Sequence, residues 1–370
     1  MSNTEAKKRP PSRGHKHSCV PFASEAHSQD CVEDVAKKRQ YLTTMSQQHP
    51  ELFPQVRANG YTFHDRYQSR KQRWVWRRIK LKAPLEVCTL RPSFLMPSCI
   101  ARTDEIEQAL YLRQWGVPVA ALAYVFGREA RLWYRAWLSC GRPNLVGTTV
   151  THAATRPQDL VAEEKSTWLA GAEVVVPTTV GGGCVWGLSG AAQTDRDSLK
   201  AAYGEVVTQA TTVFPAYRVR SVCTEGVQAT RAAWRRLVPQ LILVRGFLHA
   251  LLNLTERGRG TLRHQVLERA WSVSHAVTKA QFAQRLRRLG EWARTSLDGS
   301  VAQTIAKRAR HRAEFLLASD CPQAARTTNA GERVHNQLDR VWYALRYCHG
   351  QQASARWAVR AGALQWNFHP

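Results

Sequence analysis

The pattern of apolar and polar positions changes near Pro157. Between residues 103 and 143, apolar side chains recur every three or four positions, which is typical of amphipathic helices. After Pro157, short runs rich in Val and Thr alternate with helical stretches. The order is three strands in succession, then helix, strand, helix and strand. Such an order predicts a mixed sheet covered by helices.

This order matches the ribonuclease-H-like fold, so we predict an α/β domain over residues 151–370. Between about 253 and 320 the sequence is helical and Arg-rich without a strand signal, which predicts an all-helical insertion. A last helix, beginning at about Asn329, is predicted to bury an apolar stripe. The polar residues on its opposite face are Glu332, His335, Asn336 and Asp339.

Three short helices are predicted over residues 103–139, inside a predicted DNA-binding region at 61–150. The third has Trp133 and Trp137 on one face and a basic opposite face. The basic residues are Arg128, Arg131 and Arg135. This arrangement has the outline of a helix-turn-helix, whose last helix contacts DNA. An ordinary three-helix packing unit with a solvated arginine face is the alternative.

Residues 1–60 are rich in Ser, Pro, Lys, Arg and His, and they are predicted as a basic, largely disordered tail. Potential zinc ligands cluster there at spacings that match no standard zinc finger, so zinc binding stays open. They are His15, His17, Cys19, His27 and Cys31. From 61 to 81, basic residues mix with aromatic ones. That pattern fits either contact with DNA or an edge strand with a solvated basic face.

The charge balance indicates a polyanionic partner. The 370 residues include 53 Lys and Arg against 28 Asp and Glu, a formal net charge of +25. No apolar run approaches the roughly 18 residues needed to span a bilayer, and the N-terminus has no secretory signal. Nine cysteines without a CxxC pair suit a reducing compartment. We expect a cytoplasmic protein that binds DNA and no membrane.

Three glutamates occupy places from which their side chains can meet. Glu163 lies within the first predicted strand, Glu225 ends the fourth, and Glu332 opens the last predicted helix. In a sheet of this order the first and fourth strands are neighbours, and the helix can pack across them. Three carboxylates can hold two divalent ions about 4 Å apart for phosphodiester chemistry. Taken singly, each acid also fits an ordinary solvated strand end or first helical turn.

From about residue 61 onwards, the chain resembles the Mutator-like DDE transposases of bacterial insertion sequences. The strings that carry the resemblance are LVAEEK, TTVGGGCVWG, CTEG followed by AWRRLVP, GFLHALL and RTTNAGERVHNQLDR, in that order. Members of this family also have a helical insertion before the glutamate-bearing helix. The resemblance implies a DNA transposase that binds terminal inverted repeats and catalyses strand cleavage and strand transfer into target DNA.

The resemblance assigns the catalytic and metal-binding acids to Glu163, Glu225 and Glu332, with two Mg²⁺ ions that Mn²⁺ can replace. It also implies double-stranded DNA as partner, a homodimer or higher assembly on DNA, and association with the bacterial nucleoid. His249 is a candidate for contacting DNA near the scissile phosphate. A polar residue at the start of a helix is the alternative interpretation of His249.

The chain departs from the family at three positions. The family has Asp where Glu163 and Glu225 stand, and commonly has Cys or Asp where Gly246 stands. A glutamate moves the carboxylate by roughly 1 Å, and a displacement of that size can lower a rate about 100-fold. The departures motivate an alternative function: a catalytically impaired or domesticated transposase that acts as a sequence-specific DNA-binding protein. A structure-specific nuclease on the same fold is a third hypothesis.

Overall fold

The structure is a computed structural model, and it divides the chain into two compact units, Met1–Gln108 and Ala109–Pro370. The boundary therefore differs from the division near residue 150 that the sequence suggested. The residues that the structure describes are 17–53, 59–83, 85–96, 99–150, 156–169, 171–247, 261–297, 299–344 and 352–368.

A four-stranded sheet with two helices forms the first unit. Its strands are β1 (His17–Val20), β2 (Tyr61–Ser69), β3 (Trp74–Leu81) and β4 (Val87–Pro92), in the order β1-β4-β3-β2. The helices are α1 (Glu25–Glu33) and α2 (Val35–Gln48), followed by a 3₁₀ turn at Pro50–Leu52. Buried apolar side chains join these elements into one core; they include Val20, Leu42, Phe53, Ile79 and Leu90.

Residues 17–53 are folded, which corrects the prediction of a largely disordered tail for that stretch. Polar composition dominated the prediction, whereas a few widely spaced apolar residues form the core. Two side chains also define the helix starts. Ser24 Oγ accepts a hydrogen bond from the His27 amide, and Asp34 accepts from the amides of Ala36 and Lys37.

The basic and aromatic stretch between residues 61 and 81 forms β2 and β3. Strand β3 lies between β4 and β2, so the interpretation of its sequence as an edge strand is wrong. Its neighbour β2 is one of the two edge strands of this sheet, and β1 is the other. Arg77, in β3, is buried, and its guanidinium donates to the carbonyl of Val32 at 2.6 Å.

The three helices predicted over 103–139 are present as α3 (Thr103–Gln114), α4 (Val119–Phe126) and α5 (Ala130–Cys140), followed by α6 (Leu145–Thr149). Helix α4 ends at Gly127, whose φ of 63° is the left-handed conformation that glycine adopts without strain. Helix α5 buries Trp133 and Trp137, as its pattern predicted.

The second unit contains a five-stranded mixed sheet. Its strands are β5 (Asp159–Leu169), β6 (Ala172–Gly181), β7 (Cys184–Leu188), β8 (Ser221–Thr224) and β9 (Ile242–Arg245), in the order β7-β6-β5-β8-β9. The first three strands pair antiparallel, while β8 pairs parallel with β5 and β9. The first and fourth strands of this sheet are therefore neighbours, as predicted.

Helices cover both faces of this sheet. On one face, α7 (Arg196–Val213) and α8 (Gln228–Leu237) pack Tyr203, Val206 and Trp234 against Leu160 and Val222. On the other face lie α13 (Asn329–Ala344) and α14 (Gln352–Phe368). The prediction made α13 the last helix, but α14 follows it. The C-terminal end of α5 contacts α14 so closely that a Cβ at Gly141 would overlap the carbonyl of Trp357.

Four helices lie between β9 and α13 in the described part of the chain. They are α9 (Thr261–Ser274), α10 (Lys279–Ser296), α11 (Gly299–Arg310) and α12 (Arg312–Asp320). Phe247, Phe282 and Phe315 form the aromatic centre of their core, with rings 5.1 to 6.4 Å apart. An all-helical segment at this place was predicted. None of the described helices is long and apolar enough to cross a membrane.

Candidate functional site

Glu163 stands in the middle of β5 and faces the α13 side of the sheet. Successive residues of a strand point to opposite faces, so Glu164 faces α7 and α8. There its carboxylate accepts hydrogen bonds from the hydroxyls of Tyr203 and Thr230, the latter at 2.6 Å. The two adjacent glutamates therefore have different surroundings: Glu164 is held by hydroxyl donors, whereas Glu163 faces other carboxylates.

Glu225 reaches the same place because of the register of the two parallel strands. Val161 of β5 pairs with Cys223 of β8, so the residues two positions further along each strand are Glu163 and Glu225. Strand β8 ends at Thr224, and Gly226 then turns the chain with φ of 92°. A Cβ at Gly226 would lie 2.5 Å from Nε of Arg245, which explains why glycine follows this acid.

Glu332 lies in the first turn of α13, and this helix packs across β5 and β6. The helix comes so close to the sheet that a Cβ at Gly331 would overlap Oε2 of Glu163. A side chain at this position would therefore have to displace the Glu163 carboxylate. Helix α13 is also tied to β5 by an ion pair between Lys165 and Asp339.

The carboxylates of Glu163, Glu225 and Glu332 form one cluster, in which one oxygen of each lies within 4.8 Å of the others. Among the described residues, this is the one group of three or more acidic, His or Cys side chains that could hold a metal ion. Oε2 of Glu163 is buried and accepts no hydrogen bond. Burial, and then the negative charges of Glu225 and Glu332, raise the pKa of Glu163 to about 9.

This donor set fits a divalent cation. Carboxylate oxygens are the hard ligands that Mg²⁺ and Mn²⁺ prefer. A buried oxygen without a hydrogen-bond donor, beside two further carboxylates, lacks the positive charge that would stabilise its ionised form. A cation bound by the three glutamates would supply that charge and would polarise the oxygens of a phosphodiester.

His335 lies one turn after Glu332 and also faces the sheet, which corrects its predicted place on the face opposite the apolar stripe. Its Nε2 lies 2.8 Å from the hydroxyl of Thr178, and its Nδ1 lies 3.9 Å from Oε2 of Glu163. Burial, and then the charge of Lys165, lower the pKa of His335 to about 4, so the ring is neutral at pH 7. A neutral ring at 3.9 Å makes no ion pair with Glu163.

The helical spacing of the sequence contains a signal for the inward position of His335. Residues three apart on a helix share a face, so His335 follows Glu332 towards the sheet. The apolar stripe of α13 begins at Val334, and His335 lies at its edge. Neutral and hydrogen-bonded to Thr178, the imidazole borders the carboxylate cluster without adding charge to it.

Asp159 shares the sheet face of Glu163 but is not a member of the carboxylate cluster. Asp159 binds the guanidinium of Arg220 and accepts a hydrogen bond from Ser221 at 2.6 Å. These donors hold the pKa of Asp159 below its usual range despite partial burial. Four residues of strand, about 13 Å, also separate it from Glu163.

Three of the predicted DNA-binding residues lie on or just before α5, and the fourth lies outside the described residues. Arg131 and Arg135 are exposed on α5, while Arg128 precedes the first residue of that helix and is half-buried. His249 lies outside the described residues. Gly246 lies next to the Glu225 strand, where its amide donates to the Thr224 carbonyl at 2.8 Å. A Cβ there would meet its nearest atom at 3.5 Å, an ordinary van der Waals contact, so a Cβ is accommodated.

The N-terminal residues considered for zinc form no such cluster in the described part of the chain. His27 packs its ring against Phe22 and Tyr41, and Cys31 is buried in α1. His15 and the side chain of His17 lie outside the described residues.

Comparison with protein-family models and with curated proteins gives no match to this sequence. The interpretation of function therefore depends on the site itself, and on the motifs that resemble a transposase family.

Proposed function

We propose that this chain is a metal-dependent DNA strand-processing enzyme, a DDE-type transposase of the Mutator-like kind. The observation that carries the proposal is the convergence of Glu163, Glu225 and Glu332 within 4.8 Å. The three acids come from a central strand, the end of its parallel neighbour and a helix crossing the sheet. The strand order and the helical segment before α13 are compatible with a ribonuclease-H-like catalytic domain.

The chemistry follows from the site. The three glutamates would hold Mg²⁺ or Mn²⁺, two ions being the arrangement that activates an attacking oxygen and stabilises a leaving one. Glu163 supplies a buried oxygen at the centre of the cluster, while the less buried Glu225 and Glu332 border solvent. His335 stays neutral, so it does not compete with the ions for the carboxylates. Water or a 3′-hydroxyl would attack the scissile phosphate.

DNA binding belongs to the same proposal. The net charge of +25 favours a polyanion. Helices α3, α4 and α5 would act as a helix-turn-helix for terminal inverted repeats, with Arg131 and Arg135 exposed on the third helix. A dimer or higher assembly would bring two DNA ends together with the target. A bacterial cytoplasmic, nucleoid-associated location fits this function.

The test replaces each acid by its neutral isostere and measures metal-dependent cleavage of the element's terminal DNA. Glu163→Gln, Glu225→Gln and Glu332→Gln should each lower cleavage at least about 100-fold, because each removes a negatively charged metal ligand. Binding to the ends should remain.

Glu164→Gln is the matched control. It is the adjacent residue on the same strand, and glutamine can still accept the hydrogen bonds of Tyr203 and Thr230. Its cleavage should stay close to wild type. Full cleavage by all three site variants would contradict the proposed site.

A second candidate function is a catalytically impaired or domesticated transposase that binds specific DNA. The observation in its favour is that the two strand acids are glutamates, each longer by a methylene than the aspartates of the resembling family. It predicts end binding without cleavage in Mg²⁺ or Mn²⁺. Cleavage that appears in the double variant Glu163→Asp with Glu225→Asp, but is absent in the wild type, would favour it.

A further inference from the structure

The outer face of α13 carries a row of exposed side chains that begins beside the carboxylate cluster. The exposed residues among the described side chains of this helix are Arg333, Asn336, Arg340 and Tyr343. Their spacings of three, four and three residues place them on one face. The row extends about 15 Å, at 1.5 Å per residue, and its first member follows Glu332 directly.

The end of α3 lies alongside this row and adds aromatic surface. Gln337 of α13 donates to the carbonyl of Gln114, and a Cβ at Gly116 would lie 2.9 Å from the carbonyl of Arg340. Trp115 is 50% exposed, and the guanidinium of Arg340 lies 5.4 Å from its ring centroid. Tyr111, also half-exposed, meets the ring of Trp115 edge-on.

The charged residues of this row are both arginines. Asp339, the acidic residue next to Arg340, is turned towards Lys165 and paired with it. Arg333 and Arg340 therefore present two positive charges, while Tyr343 is 80% exposed and Trp115 shows half of its surface. Exposed aromatic side chains beside arginines are suited to stacking with bases whose faces are accessible, while the arginines contact phosphate.

We infer that this surface, formed by Arg333, Asn336, Arg340 and Tyr343 with Tyr111 and Trp115, binds an unpaired DNA strand leading to the scissile phosphate. The inference builds on the proposed function and specifies its substrate: a DNA end whose strands are separated next to the cleavage site. Duplex DNA hides the base faces in its stack, so it would use the arginines but not the aromatic rings. A length of about 15 Å corresponds to roughly four stacked nucleotides at 3.4 Å each.

The experiment measures binding of the full chain, without divalent metal, to a short fluorescent oligothymidine and to a blunt duplex. Trp115→Ala and Tyr343→Ala should each weaken oligothymidine binding about 10-fold, the scale of one base–aromatic stack. Affinity for the blunt duplex should change less than twofold. Trp115→Phe and Tyr343→Phe should retain most of the single-strand affinity and show that ring surface is required.

Trp168→Ala is the matched control, because Trp168 is equally exposed at 50% but has the strand parity of Glu164, which faces away from α13. Its affinity for both probes should equal that of wild type. Wild-type single-strand affinity in both alanine variants would overturn the inference, as would equal losses on duplex and single strand. Tighter binding of an oligouridine RNA than of oligothymidine would overturn the assignment to DNA.

Failure of this inference differs from failure of the proposed function. If the ends are cleaved in a manner that requires Glu332 while the aromatic variants bind single strands normally, then only the inference is wrong. If wild-type protein binds neither probe, both are wrong.

Discussion

Glu163 shows how much one side chain depends on its surroundings. It is chemically the same as Glu164, yet Glu163 lies among carboxylates, whereas Glu164 accepts hydrogen bonds from two hydroxyl groups. The sequence predicted both glutamates as part of one strand, and the family resemblance assigned the catalytic role to Glu163. The structure places the Glu163 side chain in the carboxylate cluster. The raised pKa of Glu163 could not be predicted, because it depends on burial in the folded chain and then on two residues 62 and 169 positions away.

This pKa predicts how stability depends on pH. A carboxyl whose pKa rises from 4.5 to about 9 on folding stabilises the metal-free fold fully below pH 4.5. That stabilisation is lost as the pH rises through 9. Metal-free protein should therefore lose unfolding free energy, on the order of a few kcal/mol, between pH 5 and 9.

Urea denaturation at a series of pH values would measure this loss. Glu163→Gln should flatten the dependence, and Mg²⁺ should reduce it in the wild type, since the cation stabilises the ionised form. An equally steep dependence in Glu163→Gln would show that another group causes it.

Gly331 gives a second prediction at the scale of one residue. Gly331→Ala should displace the Glu163 carboxylate, because the added Cβ would overlap its Oε2. A displacement of about 1 Å should lower metal-dependent cleavage on the order of 100-fold. Gly290→Ala is the control: Gly290 lies within α10, and a Cβ there would meet no atom within 4 Å. That change should leave cleavage intact and raise helix stability by up to about 1 kcal/mol.

At the scale of elements, the sequence predicted the strands and helices of the second unit well, because each has a strong period. Strands β5 and β6 and helices α7 and α8 occupy the stretches expected of them. The prediction failed in segments whose buried side chains are few and widely spaced along the sequence. Residues 17–53 fold around a few apolar side chains, and α14 follows α13, the last predicted helix. Neither feature has a local pattern strong enough to outweigh composition.

Helix α12 contacts the strand ends near Glu225 through one acid. Glu314 pairs with Arg231 of α8 at 2.9 Å and with Arg245 of β9 at 3.2 Å. Arg245 in turn lies against Gly226, next to Glu225. Removing the acid leaves two partly buried guanidinium groups without this partner. Glu314→Ala should therefore lower the unfolding free energy by about 2 kcal/mol, less than the loss of a fully buried pair.

Chemical denaturation measures this loss, with Glu268→Ala of α9 as control. Glu268 is exposed, so its replacement should change stability by less than about 0.5 kcal/mol. Equal effects of the two changes would show that Glu314 contributes no more than a surface charge.

At the scale of the whole molecule, the charge of +25 dominates what the protein can bind. Each arginine that neutralises a DNA phosphate adds about 0.9 to the slope of log affinity against log salt. Arg131→Ala and Arg135→Ala should each lower the slope for terminal-repeat DNA by about that amount. Arg196→Ala should leave it unchanged, because Arg196 already pairs with Asp197. Binding titrations at several salt concentrations would decide; unaltered slopes for both α5 variants would exclude α5 from the DNA interface.

The contact between Asn367 and Val185 has a consequence for biosynthesis. The side-chain amide of Asn367 accepts a hydrogen bond from the backbone N–H of Val185 at 2.7 Å and donates one to the Val185 carbonyl at 2.8 Å. A backbone peptide of a neighbouring strand would make the same two bonds. Asn367 therefore covers part of the exposed edge of β7. A ribosome makes β7 well before it makes Asn367. Throughout that interval the edge of β7 in the nascent chain is unpaired. A chaperone would protect the chain most during this interval.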